Sequence, residues 1–228
     1  MAAVRTNGKW GYIDKEGNEI IPAKYDDACR FSESLAAVCQ NDNWGAIDKS
    51  GKIVIPLQYE SIFDFSEGLA AVKLNHYSKC GYIDITNKII IPFKYNEAYR
   101  FIDGLALVKL GTHYGYIDKT DKEIIPIVYT GLGFFNEELA YFKKSVCYGF
   151  IDKTGKKIID DKYYDAHRFS EGLARVKNFN NKWGFINKVG KVVISFIYDD
   201  VRDFIDGLAK VELNGEEFYI DKQGNRVK

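Results

Sequence analysis

The sequence predicts an all-β protein made of tandem repeats of about 34 residues, and three observations carry that prediction. An aromatic–Gly–aromatic–Ile–Asp string returns seven times. Other residue types keep step with it at fixed offsets. Between these fixed columns the chain alternates with period two and is broken by turn residues. The string reads WGYID from Trp10, WGAID from Trp44, CGYID from Cys80 and YGYID from Tyr114. It continues as YGFID from Tyr148, WGFIN from Trp183 and EFYID from Glu217, at spacings of 34, 36, 34, 34, 35 and 34 residues.

Each repeat can be read in order. The Leu-Ala-x-Val stretch, as in Leu69–Val72, alternates as a half-buried strand does. A polar tip follows, Asn7-Gly8 in the first unit and Asn214-Gly215 in the last, and Asn-Gly is a strong hairpin signal. Both length changes in the array, at His76–Ser78 and near Asn180, fall in this tip, which places it in solvent. The Trp-Gly-Tyr-Ile-Asp string is the second strand. Glycine within a strand lowers stability, so its recurrence implies close approach of a ring or a backbone. The recurring Asp (Asp14, Asp48, Asp84, Asp118, Asp152 and Asp221) is read as a turn cap. It offers one carboxylate per loop, too few for a calcium site.

A third strand follows, such as Lys52–Ile55, and the Pro column (Pro22, Pro56, Pro92, Pro126) is expected to end it. Tyr-x-x-Ala-x-x-Phe, as in Tyr95, Ala98 and Phe101, predicts a single helical turn. The unit closes on a glycine (Gly68, Gly104, Gly172, Gly207) expected in a left-handed turn, where Ser34 and Glu138 would each be strained by about 1 kcal/mol. The expected unit is thus a three-stranded antiparallel meander plus a short helical turn. One such unit cannot bury its apolar face alone, so neighbours stack, with the Tyr and Phe columns between them. The reading is one array over residues 1–228, seven units with the last partial, stacked as an open superhelical solenoid; a closed propeller-like ring is the alternative.

Composition excludes several functions. Lys+Arg and Asp+Glu both number 32, and no basic stretch of the kind that holds nucleic acid appears. No apolar run reaches the roughly 18 residues of a membrane span, and MAAVRTNGKWGYID lacks a signal-peptide apolar core, which points to the cytoplasm. Cys29, Cys39, Cys80 and Cys147 share no metal-ligand spacing and are read as reduced. No cofactor or metal is expected. His76, His113 and His167 fall in three different columns, and no nucleophile, phosphate loop or acid–base pair stands out, so no enzyme is expected.

The string Trp-Gly-x-Ile-Asp-Lys-x-Gly-x-Ile-Ile-Pro, followed by Tyr and Phe-Ser-Glu-Gly-Leu-Ala-x-Val, resembles the WG-repeat (KWG) family along the whole chain. The resemblance implies a bacterial origin, a β-rich array and an interaction module, and it implies no reaction. Cys80, Tyr114, Tyr148 and Glu217 depart from the Trp column, and looser packing is expected there.

In a repeat array the recurrent columns hold the fold, so recognition is sought where an exposed column varies. The column two before each Phe reads Cys29, Phe63, Tyr99, Gly133, His167 and Arg202, with residue types common at interfaces. Phe63, Tyr99, His167 and Arg202 are the candidate binding residues, with His76 and Tyr77 of one tip as a second group. The next column alternates in sign and predicts ion pairs Arg30–Asp64, Asp64–Arg100 and Arg168–Asp203. The expected function is a monomeric, non-catalytic scaffold for another protein or peptide. A carbohydrate or cell-wall module and a structural spacer are the alternatives, and exposed Trp10- and Tyr25-column rings would favour the carbohydrate.

Overall fold

The computed structural model describes residues 1–227; Lys228, in the last partial unit, lies outside them. Among the described residues every element is a strand or an isolated bridge, and none is a helix. The strands form seven antiparallel sheets, each with its strands in chain order. The first has three strands, Ala2–Thr6, Lys9–Ile13 and Glu19–Tyr25. The other six have four. In the third sheet these are Ser61–Ile62, Leu69–Lys73, Cys80–Asp84 and Ile89–Tyr95.

The described residues divide into two compact units, residues 1–112 with 116–127, and residues 113–115 with 128–227. In the first unit each hydrophobic cluster joins two successive sheets. Tyr12, Ile21 and Tyr25 pack with Ala36, Val38 and Ile47, and Tyr82, Ile91 and Tyr95 pack with Phe101, Ala106 and Val108. In the second unit Phe150, Ile159 and Tyr163 pack with Phe169, Ala174 and Val176, and Phe185 and Tyr198 pack with Phe204 and Val211. The aromatic columns therefore join neighbouring repeats. In three edge-on pairs the third residue of the string meets the Phe column of the next sheet, with centroids 4.8 Å apart for Tyr12–Phe31 and Phe185–Phe204 and 4.9 Å for Phe150–Phe169.

The helical turn is not present. Tyr25 ends a strand, and Asp27–Ala28 pair with Cys39 and Val38 as a short first strand of the next sheet. Spacing of three put Tyr, Ala and Phe on one side of a turn, but residues this short of local hydrogen bonds find them instead in a neighbouring strand. The Cys29 amide bonds to the Ala37 carbonyl at 2.9 Å.

The prolines do not end their strands either. Glu19–Tyr25 and Ile53–Tyr59 run through Pro22 and Pro56. Trp10 faces Tyr25 and Tyr12 faces Ile21, so the partner strand carries extra residues between these pairs, and Pro22 lies in this bulge, where no ladder donor is needed. The bulge also explains the Gly column. A Cβ on Gly11 would stand 2.5 Å from the Ile21 carbonyl oxygen, and one on Gly149 2.5 Å from that of Ile159. The close approach is by backbone, not by a ring.

Candidate binding surface

Within each compact unit, the turn that closes a repeat also joins it to the next. Its two central residues both have positive φ, 55° and 84° at Glu67-Gly68, which is the type I′ geometry of a two-residue hairpin. Ser34 and Glu138 take the second place at φ 76°, as expected, without the freedom of glycine. The first-place carboxylate accepts hydrogen bonds from the next repeat's turn. Glu33 accepts from the Glu67 and Gly68 amides at 2.6 and 2.8 Å, and Glu67 accepts from Gly104 at 3.1 Å. In the second unit Glu137 accepts from Gly172 and Glu171 from Gly207, both at 3.0 Å. The preceding serine donates its hydroxyl to a carbonyl one repeat on, Ser32 to Phe65, Ser66 to Phe101 and Ser170 to Phe204, each at 2.7 Å. Lys119, Lys188 and Lys222 close on Glu67, Glu137 and Glu171 at 2.9–3.1 Å. Burial opposes ionisation of Glu67, yet the Gly104 amide and Lys119 hold its carboxyl below the usual range.

The recurring Asp caps its own turn. Asp84 Oδ1 accepts from the Thr86 amide at 2.8 Å, the Thr86 hydroxyl at 2.7 Å and the Lys88 amide at 3.0 Å. These bonds, led by the Thr86 hydroxyl, lower its pKa. Such a carboxylate is committed to its loop, so function is to be sought elsewhere.

In the first unit the structure brings two candidate residues together. Phe63 and Tyr99 line an open cleft of about 180 Å³ between neighbouring sheets, with Ser61, Lys73, Cys80 and Ala98. Phe63 is 49 % exposed and, among the described residues, has no ring partner. The Tyr99 hydroxyl donates to Glu97 at 2.9 Å, and Lys109 reaches the other Glu97 oxygen at 2.7 Å. Lys73 approaches Glu60 at 3.7 Å, and His76 Nδ1 stands 3.4 Å from Glu60 on the far side. Tyr77, 94 % exposed, meets His76 edge-on at 5.5 Å. The tip residues are thus linked to the rim of the cleft through Glu60.

In the second unit His167 and Arg202 have different surroundings. The His167 ring lies 5.7 Å from Trp183 and its Nδ1 is 3.1 Å from an Arg175 nitrogen. Burial first, and the Arg175 cation second, push its pKa down. Arg175 also donates to Asp203 at 2.7 Å and to the Val201 carbonyl at 2.8 Å. Arg202 is mostly exposed and pairs with Asp200 at 3.5 Å. Of the expected ion pairs, Arg30–Asp64 forms at 3.7 Å and Arg168–Asp203 at 3.4 Å. No Asp64–Arg100 pair is present among the described residues; Arg175 gives Asp203 its shorter contact.

The sequence reading missed Cys80, Lys73 and Arg175. Cys80 was visible as the smallest residue in the Trp column, directly beside the largest apolar member of the variable column. Its thiol is pushed up by burial and is not primed as a nucleophile.

Among the described residues no helix is long and apolar enough to cross a membrane. No curated protein matches the chain. Solved structures share the repeated antiparallel β architecture and are propeller-like. A eukaryotic initiation factor is 10% identical, with a TM-score of 0.56 over 99% of this chain and 72% of its own. BamB from Moraxella catarrhalis is 13% identical, with a TM-score of 0.49 over 86% of this chain and 70% of its own. Hsv2 from Kluyveromyces lactis is 9% identical, with a TM-score of 0.49 over 83% and 71%. At 10% identity the likeness to the initiation factor concerns fold alone. The WG containing repeat matches residues 10–44, 44–76, 81–111, 114–145, 148–183 and 183–216, and over these six stretches the chain belongs to the WG-repeat family.

Proposed function

We propose that this chain is a non-catalytic repeat scaffold that binds another polypeptide through the Phe63–Tyr99 cleft. The observation that carries this reading is the half-exposed, unstacked Phe63 at the mouth of an apolar cleft. At about 180 Å³ the cleft is below the roughly 300–1,000 Å³ of small-molecule sites and has room for one bulky side chain. A carbohydrate module has less support, because the Tyr25-column rings Tyr25, Tyr59 and Tyr95 are buried and Trp10 and Trp44 are half-buried rather than exposed. The cleft and its charged rim likewise speak against a featureless spacer.

Among the described residues six of the seven sheets have four strands rather than the three expected per repeat, because the residues after the Tyr column pair as the first strand of the next sheet.

The binding reading is tested by affinity capture from the source cells with wild-type protein and a Phe63→Ser/Tyr99→Ser variant as baits. A protein kept by the first and lost by the second is the expected result. Equal retention on both baits would move the binding face elsewhere.

A further inference from the structure

The repeat contains an internal image of what the cleft should hold. In the sixth sheet Trp183, 6 % exposed, fills the position that Cys80 occupies in the third. The Trp183 indole lies against the His167 ring at 5.7 Å and under two cations, Arg175 at 5.7 Å and Lys177 at 5.5 Å from the ring centroid. By repeat position Phe63 stands for His167, Ala71 for Arg175 and Lys73 for Lys177. The third sheet therefore retains an aromatic wall and a lysine while lacking the indole between them, and Ala71 takes up less space than the arginine does. The cleft opens at this point, lined by Phe63, Lys73 and Cys80.

Charge supports the same occupant. Lys73 can face the negative face of a ring, as Lys177 does on Trp183. Beside it, Glu60 Oε2 is buried and accepts no hydrogen bond, with Lys73 at 3.7 Å, beyond hydrogen-bond reach. An acceptor in that state lacks a donor. Among apolar side chains tryptophan alone offers both a broad π-face and an N–H donor. We propose that the Cys80 cleft receives a tryptophan side chain from a partner polypeptide, stacked on Phe63 beneath Lys73, with its indole N–H toward Glu60. This rests on the scaffold reading above and adds the identity of the residue bound.

The test uses the full chain and three short peptides, Gly-Gly-Trp-Gly-Gly and its leucine and alanine counterparts, followed by backbone amide chemical shifts. The tryptophan peptide should shift the Ser61, Phe63 and Tyr99 amides saturably at millimolar concentration. The leucine peptide should do so several-fold more weakly and the alanine peptide not at all. Cys80→Trp, which places the indole within the chain, should abolish the shifts while keeping the folded spectrum, and Cys80→Ala should retain them. Glu60→Gln should weaken binding, and Phe63→Ser should remove it. The proposal is overturned if the tryptophan peptide moves nothing, if leucine matches it, or if Cys80→Trp still binds. Should the peptides fail while the capture experiment still depends on Phe63 and Tyr99, the scaffold reading stands and only the occupant falls.

Discussion

Tyr25, Tyr59 and Tyr95 hold the same column and are equally buried, yet their hydroxyls differ. Tyr95 donates to Asp121 at 2.6 Å and Tyr59 to Asn87 at 2.8 Å, whereas the buried Tyr25 hydroxyl has no partner. The cause is one residue in the next repeat. Asp121 and Asn87 take a turn position at φ 70° that Gly51 holds in the repeat facing Tyr25. Tyr95→Phe should therefore cost about 1–2 kcal/mol and leave Asp121 without that donor, while Tyr25→Phe should be neutral or slightly stabilising. Gly51→Asn should add up to about 1 kcal/mol, since Asn tolerates positive φ and its Cβ would meet only the Ile21 side chain at 3.4 Å. Urea unfolding of the three variants checks this, and equal losses for both Tyr→Phe changes would disprove it. At Ser34, φ 76°, a change to glycine relieves strain and should stabilise by about 1 kcal/mol in the same assay.

At the scale of elements, the closing hairpin was only half legible. Its glycine was read from the sequence, because a left-handed residue leaves a compositional trace. The acidic residue before it recurs in all six turns, as Glu or Asp, and a Ser precedes it in three, but their role depends on which backbone lies one repeat away, and a single repeat does not reveal that. The same limit produced the helical turn. Tyr-x-x-Ala-x-x-Phe has helical spacing, yet Asp27–Ala28 gain ladder bonds from Leu35–Gln40, and tertiary pairing overrides a weak local preference. Glu67→Ala removes the acceptor for the Gly104 amide and the Lys119 ion pair together. It should cost about 1.5–3 kcal/mol, against roughly 0.5 kcal/mol or less for an exposed charge such as Glu16→Ala. Matching losses would show that the bridge between repeats contributes nothing.

The Arg175 cluster adds a pH dependence. His167 has a depressed pKa in the fold, so the unfolded chain takes up its proton first as pH falls. Stability from this site is whole above the unfolded value near 6.5 and declines as pH drops through it. Asp165, Asp200 and Asp203 pull the other way and limit the decline. Thermal unfolding between pH 7 and 5 should show a falling midpoint that His167→Gln flattens. The carboxylates of the capped turns, held below the ordinary Asp range first by the Thr86 and Ser50 hydroxyls, act only in more acid solution.

Across the molecule, the period, the all-β class and the aromatic joints between repeats could be read from the sequence, because each recurs in every unit. The binding surface was readable in part. Phe63 and Tyr99 do share a cleft, while His167 is engaged by Trp183 and Arg175 and Arg202 by Asp200. What differs among repeats is the Trp column, and that variation sets how well neighbouring sheets fill the space between them. Cys80 lines an open cleft at the position that the Trp183 indole fills in the sixth sheet. The most direct measurement is the thermal midpoint of Cys80→Trp. Filling the cleft should add about 0.5–2 kcal/mol, a rise of roughly 1–8 °C for a chain of this size. A midpoint below that of the wild type would mean that no indole-shaped space exists there.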